Sequence, residues 1–134
     1  MSVAETKSPN LRQGEATRRT VLGDAYVDGI GAATTAFDAP FQELITSAAW
    51  GTLWSRDEWP KRQRSIVTIA LLAALGHYEE MAMHIRATAR TGATEADVRE
   101  ALMHVAIYAG VPTANAAFRV AKQVYTELNA EKER

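Results

Sequence analysis

Three titratable side chains at helical spacing are the residues of this 134-residue chain best suited to chemistry. His77, Glu80 and His84 stand at positions i, i+3 and i+7, so on an α-helix they share one stripe. The charged residues predicted on the opposite, solvated side are Glu79, Arg86 and Arg90. Because burial penalises an isolated charge, an inward-facing acid–base set needs a partner or a task. The spacing therefore predicts a site for proton transfer.

Each of the three residues has a candidate role. His84 is the candidate proton carrier, because the unperturbed pKa of histidine lies near neutrality. Glu80 can orient the imidazole, or can itself be the acid if burial raises its pKa. His77 can donate a hydrogen bond to a substrate oxygen, or can simply cap the preceding helix. The structural alternative for His84 is a core histidine paired with a helix neighbour.

Composition excludes several other classes of protein. The chain has no cysteine, so disulfides, thiol nucleophiles, thiolate metal sites and redox dithiols are all excluded. The net charge of -1 and the lack of a basic block argue against a nucleic-acid partner. No segment has the apolar length of a signal peptide or a membrane span, the longest apolar run being residues 66–76. We therefore expect a cytoplasmic protein with no membrane partner.

Apolar periodicity and helix signals predict an all-α bundle in one domain at residues 14–130. A flexible tail is predicted at 1–13 and a charged end at 131–134. Residues 25–38 contain glycines and small side chains, which predict an irregular connection. The predicted helices cover residues 15–23, 38–54, 60–76, 78–91, 94–109 and 112–130.

The helix predicted at 60–76 is apolar on every side from Ile66 to Leu75, apart from Thr68. A helix without a polar side is central in its fold or lies between subunits. In a chain of this length, the pattern favours a homo-oligomer.

Several short runs, taken in order, carry a family resemblance. The two most specific are Trp-Gly-x-x-Trp-x-Arg at residues 50–56 and Val-Leu-Gly-x-x-Tyr-Val-Asp at 21–28. The full set of matching stretches is 18–28, 40–44, 50–56, 64–67, 80–84, 108–112 and 117–121. By these runs, which extend over roughly residues 14–125, the chain resembles the gamma-carboxymuconolactone decarboxylase family. The resemblance implies the AhpD-like helical fold, which that family shares with the alkylhydroperoxidases.

The resemblance also separates two chemistries. The peroxidase branch carries Cys-x-x-Cys-x-x-x-His, and its histidine matches His84 here. The two cysteine positions then fall on His77 and Glu80, so reduction of peroxide by a dithiol is not possible. The resemblance implies an acid–base site in its place.

What the resemblance implies for function is 4-carboxymuconolactone decarboxylase activity. The substrate is a lactone dicarboxylate, and the products are 3-oxoadipate enol-lactone and CO2, in protocatechuate (beta-ketoadipate) catabolism. The conjugated lactone accepts the electrons itself, so no cofactor and no metal is implied. A dienolate forms and must be protonated on the carbon alpha to the carbonyl. The family resemblance further implies a trimer or hexamer.

Such a reaction needs a cation for a dianionic substrate and walls that exclude water. Arg64 and Arg56 are the candidate cations, because a guanidinium matches the geometry of a carboxylate. Alternatively, Arg64 extends from a helix start into solvent and Arg56 is a solvated loop residue. Trp50 and Trp54 are candidate walls, or else residues of the core or of a subunit interface.

Three other functions remain open from the sequence. Glu80 and His84 at i, i+4 could share a metal ion, with a further ligand such as His104. The same acid–base residues could serve another enolate-type decarboxylase, isomerase or lactone-processing enzyme. The chain could also be a non-catalytic module whose apolar helices only build an oligomer.

Overall fold

The computed structural model describes residues 7–133, and within them every regular element is helical, which confirms the all-α fold. Contacts divide the chain into two compact units that meet in sequence at Trp59 and Pro60, here called the N-terminal unit and the C-terminal unit. In the part of the chain described, no helix is long and apolar enough to cross a membrane. The helices are α1 Pro9–Leu22, α2 Asp24–Ala33, α3 Ala39–Ile45, the π-helical segment Thr46–Leu53, α4 Lys61–Ala74, α5 Tyr78–Thr91, α6 Glu95–Tyr108 and α7 Val111–Lys132.

The first helix begins earlier than the sequence predicted. Pro9 takes the first position, where its missing N–H costs nothing, and the Ser8 hydroxyl accepts a hydrogen bond from the Leu11 N–H at 3.1 Å. The predicted tail is therefore wrong for residues 9–13, while residues 1–6 lie outside the described chain. At the other end α7 runs on to Lys132, so the first two residues of the predicted charged end are helical. The domain boundaries at 14 and 130 stay a prediction.

The irregular connection predicted at 25–38 is also wrong, because α2 occupies most of it. Each helical glycine costs roughly 1 kcal/mol relative to alanine, which is why the composition argued against a helix. The cost is offset at the start of α2, where Arg19 of α1 binds Asp24 at 3.1 Å and Asp28 at 2.8 Å. These two carboxylates are one helical turn apart, so the single guanidinium of Arg19 binds both and links α1 to the first turns of α2.

Two glycines let α1 approach the π-helical segment closely. A Cβ on Gly14 would stand 2.1 Å from the Thr46 carbonyl oxygen, and a Cβ on Gly51 would stand 2.4 Å from the Asn10 carbonyl oxygen.

The single α-helix predicted at 38–54 is wrong beyond residue 45. From there on, hydrogen bonds of the i to i+5 type replace those of an α-helix, as from the Trp54 N–H to the Ala49 carbonyl at 2.8 Å.

The four helices α4 to α7 form the C-terminal unit, and its predicted elements are confirmed. α5 ends at Thr91, where Gly92 adopts a φ of 89° that side chains rarely accept. α6 begins with the predicted capping box, in which the Thr94 and Asp97 side chains bond reciprocally to backbone N–H groups. The largest fully buried side chains of this unit are Ile69, Met81, Ile85, Leu102 and Val98.

α4 is not a central helix in the single chain. Ile69 and Ala73 are buried, but Leu71 and Leu75 on its other side are 57% and 67% exposed. The apolar pattern allowed two placements of this helix, at the centre of the fold or between subunits. The first placement is therefore wrong.

Candidate active site

His84 is the buried histidine of the described chain. It lies in the middle of α5 with only 6% of its surface exposed, and Met81, Ile85 and Thr88 of the same helix are buried beside it. The amphipathic pattern of α5 directs this side against the rest of the C-terminal unit. The inward placement predicted for His84 is therefore what the structure shows.

His77 and Glu80 do not share that environment, and the prediction that all three residues point inward is wrong. Both are exposed. His77 precedes the first turn of α5 with a non-helical backbone, so helical spacing does not govern the direction of its side chain. Its carbonyl accepts from the Met81 N–H at 3.0 Å, so His77 is the N-cap of α5, and its role as a donor to substrate stays a prediction. On the solvent side, Glu79 and Arg90 are exposed as predicted, whereas Arg86 is half-buried and pairs with Glu127.

Burial lowers the pKa of His84 from 6.5 to about 4, because the charged imidazolium loses its hydration. The negative charge of Glu80 acts in the opposite direction and raises that pKa, but the effect of burial is larger. At neutral pH the imidazole is therefore uncharged, with one nitrogen as donor and the other as acceptor. Glu80, though exposed, is close enough to influence the protonation of His84.

Arg64 is the second buried ionisable side chain of the described C-terminal unit, at 8% exposure in the first turn of α4. The next residue, Ser65, places it, because the Ser65 hydroxyl lies 2.7 Å from the Thr91 hydroxyl at the end of α5. Thr91 follows His84 by two turns, roughly 10 Å along a helix axis. The start of α4 therefore runs beside the end of α5, and Arg64 is not a solvated arginine at a helix start.

Arg56, Trp50 and Trp54 belong to the N-terminal unit. The two indoles are buried at 6% and 4% exposure, and their ring centroids are 5.0 Å apart. Such packing favours the interpretation of both as core residues. Arg56 is exposed in the loop that follows. The proposed substrate-binding roles of these three residues stay predictions.

A buried guanidinium that the sequence analysis did not single out lies in the same unit. Arg18 of α1 is 9% exposed, and its Nη1 donates to the Gln42 side-chain oxygen at 3.1 Å and to the Thr46 hydroxyl at 3.2 Å. Burial lowers its pKa. The signal for it was present, since Arg18 falls on the helical stripe of Leu11, Gly14 and Val21, all buried.

His104 is exposed on α6 and stacks on Tyr108, with ring centroids 6.3 Å apart. His104 is therefore not a buried residue of the helix bundle in the single chain. Between residues 7 and 133 there is no group of three His, Asp or Glu side chains arranged as a metal site would need.

Fold and sequence together define an all-α protein with a buried, neutral histidine and no thiol in its sequence. The model of the Carboxymuconolactone decarboxylase family matches residues 39–123. A 4-carboxymuconolactone decarboxylase of Acinetobacter baylyi is 39% identical over 123 residues, which are 92% of this chain and 92% of that protein. A nitrosuccinic acid decarboxylase of Metarhizium robertsii is 36% identical over 116 residues, which are 87% and 81% of the two chains. The chain belongs to the carboxymuconolactone decarboxylase family.

Membership confirms two predictions made from the sequence. The family resemblance is correct, and the enzyme class is that of a carboxy-lyase, since both relatives are named decarboxylases. With no cysteine in the sequence, the dithiol peroxidase reaction stays excluded.

Proposed function

We propose that this enzyme is a 4-carboxymuconolactone decarboxylase, which converts gamma-carboxymuconolactone to 3-oxoadipate enol-lactone and CO2 in protocatechuate catabolism. The observation that carries the proposal is the relative of that name, which aligns with 92% of the chain. The burial of His84 is structural support for the proposal, because a carbanion formed in the reaction needs a proton donor shielded from water.

The electron path requires no additional acceptor. The bond between the gamma carbon and its carboxylate breaks, CO2 leaves, and the electron pair passes through the ring alkene to the lactone carbonyl. The resulting dienolate takes one proton on the carbon alpha to the carbonyl, so each turnover consumes one proton. Arg64 holds a substrate carboxylate in this proposal, because a buried guanidinium can form two parallel hydrogen bonds to it.

His84 becomes a proton donor only when the substrate is bound. In the free chain its pKa is about 4, so the imidazole is neutral near pH 7. A dianionic substrate beside it favours the imidazolium, which raises its pKa toward the working pH. The imidazolium then protonates the dienolate, and exposed Glu80 relays the replacement proton from solvent.

The test is CO2 release from freshly generated gamma-carboxymuconolactone by the full chain, with His84→Gln and His104→Gln side by side. We expect His84→Gln to lower kcat by about 10²-fold or more, as for loss of a general acid. The matched change at exposed His104 leaves kcat unaltered. Absence of CO2 release by the folded wild type contradicts the substrate, and an active His84→Gln variant contradicts the role of His84.

A second substrate is favoured by the relative from Metarhizium robertsii. Nitrosuccinic acid has a carboxylate next to a nitro group, and on loss of CO2 the nitro group takes the electron pair as a nitronate, which is then protonated on carbon. The same residues serve both reactions, so the ratio of kcat/KM values for the two acids decides between them.

The proposal includes a cytoplasmic homo-oligomer, a trimer or hexamer. Support comes from the apolar side chains that the single chain leaves exposed at the end of α6, Ile107 at 77% and Tyr108 at 86%, and from Leu71 and Leu75 on α4. Exposed apolar side chains in this number are typical of surfaces that bind another subunit.

A further inference from the structure

Arg18 is a buried cation whose hydrogen-bond partners are both neutral. Gln42 and Thr46 accept from the same nitrogen, Nη1, while the buried Nε has no acceptor among the described residues. A buried charge without an opposite charge is costly, as is a buried N–H without an acceptor. Among residues 7–133, no hydrogen bond joins this guanidinium to a carboxylate.

Another arginine of the same chain shows how a guanidinium binds a carboxylate. Arg62 donates to Asp97 through Nε at 2.8 Å and through Nη2 at 2.7 Å. In Arg18 the Nε is closed off by its surroundings, whereas Nη2 is accessible and makes no hydrogen bond to any residue from 7 to 133. Nη2 is therefore the nitrogen through which Arg18 can bind a carboxylate.

A cavity of about 270 Å³ adjoins Arg18 in the N-terminal unit. The other charged side chains on its described lining are already paired, since Lys7 binds Glu15 at 2.8 Å and Arg19 binds Asp24 and Asp28. Ligand pockets commonly measure roughly 300–1,000 Å³, so this one suits a small molecule. Val27 and Ile30 add an apolar wall.

We propose that Arg18 and this cavity bind a small organic carboxylate, whose acidic group pairs with the guanidinium and whose carbon chain packs against Val27 and Ile30. The site goes beyond the proposed decarboxylation, because Arg18, Val27 and Ile30 have no role in that proposal. The proposed site does not depend on which acid the enzyme decarboxylates.

The direct test follows the side-chain Nε–H signal of Arg18 by NMR in the ¹⁵N-labelled full chain, while succinate is added at constant ionic strength. The signal is assigned by its loss in Arg18→Gln. We expect a saturable shift with succinate and none with succinamide, which has the same size but no charge. A succinate titration that leaves the Arg18 signal in place overturns the proposal, as does equal binding of succinamide.

Calorimetry with matched variants adds an independent measurement. Loss of a charge-assisted pair corresponds to about a tenfold or greater rise in Kd for succinate in Arg18→Gln. Arg90→Gln removes the same charge from an exposed residue of the C-terminal unit and leaves Kd within about twofold. Equal effects of the two substitutions contradict a specific site. Should Arg18→Gln fail to fold, Arg18→Lys gives the assignment, because it keeps the charge but also lacks the guanidinium Nε–H, and the titration of the wild type then decides.

Discussion

Burial distinguishes His84 from His77 and His104, which are both exposed. All three carry the same side chain, but only His84 loses the hydration of its charged form, and its pKa falls to about 4. In the proposed mechanism, the histidine that acts as the acid is thus held as a base in the free enzyme. On that proposal the charge of the substrate controls when His84 takes up a proton.

The depressed pKa makes a prediction about stability. Between pH 6.5 and 4 the unfolded chain binds a proton at residue 84 that the folded chain does not, so stability falls as pH falls through this window. A pKa that moves from 6.5 to about 4 corresponds to a loss of about 3 kcal/mol. Urea unfolding at several pH values should show this slope in the wild type and a flatter one in His84→Gln.

NMR titration of the His84 imidazole protons provides the control. A midpoint near pH 6.5, in place of about 4, would show that His84 is not buried in solution.

At the scale of elements, the contact between α1 and the π-helical segment depends on Gly14. Gly14→Ala puts a methyl group 2.1 Å from the Thr46 carbonyl oxygen, so the two backbones must separate. We expect a loss of about 1–3 kcal/mol or more in the free energy of unfolding, as for overpacked sites. The measurement is the midpoint of urea unfolding followed by circular dichroism.

The same substitution at Gly29 is the matched control, because nothing lies within 4 Å of its Cβ position in α2. Gly29→Ala should stabilise by about 0.5–1 kcal/mol through helix propensity. If both substitutions shift the midpoint in the same direction, the close approach at Gly14 is not what limits that position.

The same two regions show where sequence reasoning succeeds and where it stops. α5 was predicted to the residue, because Gly92 and the Thr94–Asp97 box are local signals. The π-helical segment was missed because its cause is tertiary, namely the approach of Asn10 to Gly51. Helical periodicity predicted that His77 and His84 share one stripe, but it could not show that His77 precedes the first residue of α5. Arg18 was overlooked because an arginine is expected at the surface.

At the scale of the whole molecule, the exposed apolar residues predict self-association. Light scattering after size exclusion should give the wild type a mass that is a multiple of 14.6 kDa. Leu71→Lys with Ile107→Lys places charge at positions that are 57% and 77% exposed, so the folded variant should have a lower mass. Ala96→Lys, at another exposed position of α6, is the control and keeps the wild-type mass. A monomeric wild type contradicts the proposed oligomer.

The family and the helical fold were accessible from sequence because they are carried by many positions at once, from the Trp-Gly-x-x-Trp-x-Arg run to the Tyr-Ala-Gly-Val-Pro run. The division at Trp59 and Pro60 was not, since it depends on which helices contact each other. Whether exposed Leu71 and Leu75 meet another copy is a property of the assembly and not of one chain.

The π-helical segment also constrains how this chain can change in length. Each residue there contributes to hydrogen bonds that skip one more position than in an α-helix, as from Trp54 to Ala49. Deleting one residue between 46 and 53 would change which carbonyl each of these N–H groups meets, and with it the direction in which the following side chains point. Trp54 would then turn away from Trp50, and Ser55 away from its 2.7 Å contact with Thr17. In this stretch the number of residues is under stronger constraint than their identity, so related sequences should differ here by substitution and not by insertion or deletion.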